Sequence, residues 1–150
     1  MNVLYRERGQ VAEAEANAAR ALEAATAARM LEQVAMTQAN RAWIAWRKGD
    51  LAEAEAQGQA ALDSWRRGQF VHAFHWTARW PLLAVALAQE RVAEALDHAR
   101  AMLDPQQQQL PEALEAALEQ ALQTGEAGKK EAARPHLQRA VELAQETGYL

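Results

Sequence analysis

Residues 49–62 read GDLAEAEAQGQAAL, from Gly49 to Leu62. Gly49 suits the end of one helix, because glycine enters the left-handed conformation without a Cβ penalty. Asp50 carries the short acceptor side chain that caps the next helix. Ala54 and Ala61 follow, seven residues apart. Seven residues is about two helical turns, so both alanines lie on one face. An alanine face leaves no bulk, and a second helix approaches it to about 8–10 Å. The stretch therefore reads as the turn and second helix of an α-hairpin.

The same pattern recurs on both sides. GQVAEAEANAARAL starts at Gly9, ERVAEALDHARAML at Glu90 and GKKEAARPHLQRAV at Gly128. The first packing alanines are Ala14, Ala54, Ala95 and Ala133, separated by 40, 41 and 38 residues. Seven positions later stand Ala21, Ala61, Met102 and Ala140, each followed by an aliphatic residue: Leu22, Leu62, Leu103 and Val141. One hairpin cannot bury its apolar face alone, so repeated hairpins must stack.

Composition agrees with an all-α chain. Alanine makes up about a quarter of the 150 residues, and Gly and Pro number only 7 and 4. No window alternates apolar and polar residues over the length of a strand. Helices are expected at 11–25, 27–48, 51–66, 70–89, 92–103, 111–124 and 130–147, with residues 1–8 the stump of an earlier one. Pro111 suits a helix start. Pro81 predicts a kink or break inside its helix, whereas Pro135 lies close enough to a first turn to be tolerated. The run Gln106 to Gln109 reads as a solvated linker between units.

The net charge is −4 with both signs mixed along the chain. A nucleic-acid partner needs a basic face, and a polybasic membrane anchor is equally absent. The longest charge-free apolar run, Trp80 to Gln89, is ten residues, against roughly 20 for a membrane span. There is no cysteine, which excludes disulfides, thiolate metal sites and cysteine catalysis and suits a reducing cytoplasm.

With these residues in place, the chain resembles the tetratricopeptide repeat family. In that family a small residue sits late in the first helix of a hairpin and two more in the second. Ala42, Ala54 and Ala61 match in one unit, Leu83, Ala95 and Met102 in the next, and Ala121, Ala133 and Ala140 in the last. The resemblance implies a right-handed α-solenoid of about three and a half hairpins. Its units are about 1–26, 27–67, 68–104 and 105–150 of a single repeat domain. The period exceeds the family's usual 34 residues by about six. It is similar to the long-repeat variety in C-terminal regions of large bacterial ATPase-type regulators, which implies a cytoplasmic signalling or transcriptional role. The first unit is incomplete. It points to a segment of a longer protein, or to an edge that pairs with a second copy in a homodimer.

Catalytic signatures are lacking: no Gly-rich phosphate loop and no HExxH zinc motif. Ser64 is the only serine and has no nucleophile elbow around it. His72 and His75, three apart, could share a helix face, but no carboxylate can be assigned to them as metal co-ligands. His98 and His136 occupy matching repeat positions. No enzyme activity, metal or cofactor is expected.

Five tryptophans in an alanine-rich chain are the distinctive feature. Trp43 and Trp46 share one face of a leading helix, with Arg47 one turn from Trp43, and Trp76 and Trp80 share a face of the next. Such rings either pack between helices, where they bury large areas, or line a surface, where Trp and Arg are typical binding hot spots. The resemblance implies the second for Trp43, Trp46, Arg47 and Trp80, because leading helices line the family's concave groove; Trp76 falls just before that frame. The expected function is a protein–protein interaction scaffold that takes a peptide or protein partner in this groove. The alternatives are a small-molecule (inducer) sensor using the same rings, or a structural arm. Trp65 is expected to pack between repeats.

Overall fold

The computed structural model describes residues 8–27, 30–68, 72–126, 128 and 130–150. Among them are seven α-helices and no strand. They are α1 (Val11–Ala27), α2 (Leu31–Arg47), α3 (Leu51–Gly68), α4 (Trp76–Ala88), α5 (Val92–Met102), α6 (Glu112–Glu126) and α7 (Lys130–Glu146). The expected stump at residues 1–8 lies, but for Arg8, outside the described residues.

A left-handed residue stands five positions before each packing alanine. Gly9, Gly49 and Gly128 have φ of 64°, 79° and 76°, and Glu90 adopts 61° at the equivalent place. Asp50 then caps α3, accepting a hydrogen bond from the Glu53 amide at 3.0 Å. The alanine faces are interior: Ala54, Ala61, Ala95, Ala133 and Ala140 are fully buried, as are Ala42, Leu83 and Ala121 on the partner helices. Antiparallel pairing of α2 with α3 shows in two contacts. Near the turn Arg41 meets Glu53 at 3.9 Å, and far from it Ser64 donates to Gln38 Oε1 at 2.9 Å.

α4 is the hub. It packs on α2, α3, α5 and α7, and all but two of its thirteen residues are buried. The reason is compositional: after Arg79 it carries no charge and is apolar all round, which only an interior helix sustains. Pro81 does not break it. α4 starts at Trp76 rather than near residue 70, so the interruption falls before the helix, in the turn at residues 72–75. Pro135 likewise sits inside continuous α7.

The Gln106–Gln109 run does more than link. Gln108 donates its amide to the Ala73 carbonyl at 2.8 Å and accepts from Trp76 Nε1 at 2.9 Å. Gln107 accepts from the His75 amide and donates to the His72 carbonyl, both at 3.1 Å. The turn before α4 exposes backbone groups that a helix would have satisfied internally, and these amides satisfy them.

The last hairpin docks differently from the others. Leading helices α2 and α4 pack together, but at the next junction it is the following helix, α7, that packs on α4, while α5 contacts both α6 and α7. Beyond α7, Gly148 turns the chain back (φ 78°), placing Tyr149 against Trp76 at 4.7 Å and burying Leu150 completely.

Candidate functional site

The expected aromatic residues come together, but inside. Trp43, Trp76 and Trp80 belong to one buried cluster and are 0%, 5% and 0% exposed. Trp65 is interior too, stacked on His72 at 4.9 Å. Of the five residues assigned to a groove, only Trp46, half-buried, and Arg47, exposed, keep surface. Arg47 lies over the Trp43 ring, 5.7 Å from its centroid, as a cationic lid on the core. The physical reason is the rings' bulk. Alanine at so many helix–helix contacts leaves volume between hairpins, and the tryptophans supply it.

The open site lies elsewhere. A groove of about 870 Å³ runs between α1 and the start of α3, with α2 as its floor. Ala19, Leu22, Ile44 and Ala45 give it an apolar base, and Glu15, Glu23, Arg41, Lys48, Asp50 and Glu53 form the rim. Lys48 bridges the groove end to Glu15 at 2.6 Å, and Arg41 reaches Glu53 at 3.9 Å. Four carboxylates against two cations leave the rim acidic.

The next junction is closed at the equivalent place. One unit further on, Leu82 stands at the position of Arg41 and Gly58 at that of Ala18. Leu82 presses so closely on Gly58 that a Cβ there would lie 2.7 Å from its Cγ. At the first junction Arg41 turns instead toward Glu53 and lines the groove, while Ala18 itself is buried. At the last junction the cavity between α5 and α6 is only about 280 Å³. Sequence reasoning passed over this site because its lining is ordinary. The available signal was the exchange of Leu82 for Arg41 at one repeat position.

Histidines form a second cluster. His72 lies outside α4 and His75 is its first flanking residue; their rings stack 6.2 Å apart. His72 Nε2 is 3.3 Å from Glu32. Burial pushes the His75 and His98 imidazoles down to about 4, with the Arg79 guanidinium adding to the shift at both. Among the described residues no group of three or more His, Asp or Glu side chains is placed to hold a metal ion. Ser64 is buried and its hydroxyl is committed to Gln38. Among the described residues no helix is long and apolar enough to cross a membrane. Comparison of the chain with protein-family models, curated proteins and solved structures finds no match.

Proposed function

We propose that the chain is a non-catalytic binding module, a tetratricopeptide-like α-solenoid whose partner site is the groove over α2. The carrying observation is the groove itself: a large apolar-floored concavity at a junction where Arg41 stands at the position that Leu82 fills in the next unit. Sites of this kind bury apolar groups and orient them with a few polar ones. The acidic rim complements a cationic occupant. The reading is therefore a basic amphipathic peptide that lays apolar side chains on Leu22 and Ile44 and presents Lys or Arg to Glu23 and Asp50. Partner binding of this type suits a regulatory protein of the kind the repeat length resembles.

The test uses a random peptide library selected on the wild-type chain and counter-screened on Arg41→Leu, the residue the next repeat carries. Leucine is expected to fill the groove, as Leu82 does, and leave the fold intact. Selected peptides rich in basic and aliphatic residues that lose binding to Arg41→Leu support the reading. Peptides that bind both forms equally sink it. A second reading, a small amphipathic cation acting as an inducer, is favoured by the groove's volume, which lies within the range of about 300–1,000 Å³ typical of small-ligand pockets. It predicts thermal stabilisation by organic amines in wild type and none in Arg41→Leu.

A further inference from the structure

The rim of the groove over α2 is unevenly engaged. Glu15 is held by Lys48 at 2.6 Å. Glu53 meets Arg41 at 3.9 Å and accepts from the Gln57 side-chain amide at 3.0 Å. Asp50 commits one carboxylate oxygen to capping α3 and stands two residues from Lys48. Glu23 lines the same groove and is exposed, yet among the described residues no ion pair or hydrogen bond reaches it.

The next unit shows what Glu23 has lost. Its counterpart forty residues on is Asp63, which takes Arg66 at 3.0 Å and the Gln59 side-chain amide at 3.1 Å. In α1 the positions of those two partners hold Thr26 and Ala19, both lining the groove. Glu23 also lies four residues before Ala27, the end of α1. The aligned peptide dipoles leave negative partial charge at that end, so a carboxylate gains nothing from the helix there. No basic residue in the last turn offsets it.

Glu15 is eight residues earlier, about 12 Å along the axis, with Ala19 and Leu22 between. At its end stand Lys48 and the start of α3, whose dipole is positive. The groove therefore has a polarity: one end repels a cation, and the other presents an open carboxylate beside a negative helix terminus.

Resting on the groove reading above, we propose that Glu23 is its specificity-determining residue. It takes one Lys or Arg of the occupant, whose neighbouring apolar side chains lie along Ala19, Leu22 and Ile44 toward Lys48. The groove then selects a peptide with a basic residue at one end of an aliphatic stretch, rather than one basic along its length.

The test is fluorescence anisotropy with labelled, acetylated and amidated leucine–glutamine peptides. Each carries a single lysine at the first, central or last position, and a second set carries glutamate instead. Wild type is expected to prefer the lysine set, with lysine at one end. Glu23→Gln should weaken that peptide about fivefold, the upper end for an exposed ion pair. Glu15→Gln should change it less than about twofold, because Lys48 already neutralises that carboxylate. Glu23→Lys should turn the preference to the glutamate set. Since Glu23 holds nothing else in place, Glu23→Gln should not lower the Tm. Equal weakening by Glu15→Gln and Glu23→Gln overturns the proposal. So does binding that Arg41→Leu abolishes and Glu23→Gln leaves unchanged, although the groove reading then stands. Failure of every peptide to bind wild type removes the groove reading and this assignment with it.

Discussion

At the scale of single residues, the four turns that precede the packing alanines make one conformational demand, and three meet it with glycine. Glu90 meets it with a side chain. A non-glycine residue in the left-handed region loses about 1 kcal/mol. Glu90→Gly is therefore expected to stabilise the chain by about 0.5–1 kcal/mol, although it removes the exposed Arg134 contact. Gly49→Ala should destabilise by a similar amount. Urea midpoints of the two variants should move in opposite directions; movement in the same direction would refute the equivalence of the turns. His75 and His98 set a pH dependence. Both are held neutral in the fold down to about pH 4, chiefly by burial and then by Arg79. The unfolded chain binds their protons near pH 6.5. Their stabilising contribution is thus complete above pH 6.5 and is lost as pH falls toward 4. The slope is at most about 1.4 kcal/mol per pH unit for each ring. A urea midpoint that is flat between pH 6.5 and 4.5 in wild type would contradict this.

At the scale of elements, contacts between helices depend on what is missing as much as on what is present. Gly58 lets Leu82 of α4 seat on α3, and Gly125 does the same for Leu96 of α5 on α6. Alanine ordinarily stabilises a helix interior by about 1 kcal/mol over glycine. At Gly58 the sign should reverse, because Leu82 is buried and cannot retreat. Gly58→Ala is expected to destabilise by about 1–2 kcal/mol net of that gain, read from thermal unfolding. The turn before α4 depends on Gln107. Gln107→Ala removes two hydrogen bonds to that turn and should lower stability by about 1–3 kcal/mol. Faster amide exchange at His75 and Trp76, with α6 unchanged, would be its signature.

At the scale of the whole molecule, α4 distributes the load. It contacts helices from the hairpins on either side of its own, and its Trp76 receives the C-terminal turn through Tyr149. Leu150→Ala removes a fully buried side chain and is expected to lower stability by about 2 kcal/mol, the low end for leucine in a core. Differential scanning calorimetry checks it, and a Tm unchanged within error would show that the tail carries no weight. α1 contrasts with α4, since among the described residues its extensive helix contacts are with α2 alone.

The sequence by itself determined the hairpins. Glycines at 9, 49 and 128, the alanines spaced by seven, and the charge-free run after Arg79 each act through local geometry or periodicity, which a single chain displays. Tertiary structure alone decided which side of each tryptophan meets solvent, because a leading helix has two packing neighbours and periodicity does not say which one fills the space. It decided that Gln107 and Gln108 clasp the turn at 72–76. It placed α7, not α6, on α4, and left the first junction open while Leu82 closed the second. Each of these depends on volume matched across segments distant in sequence.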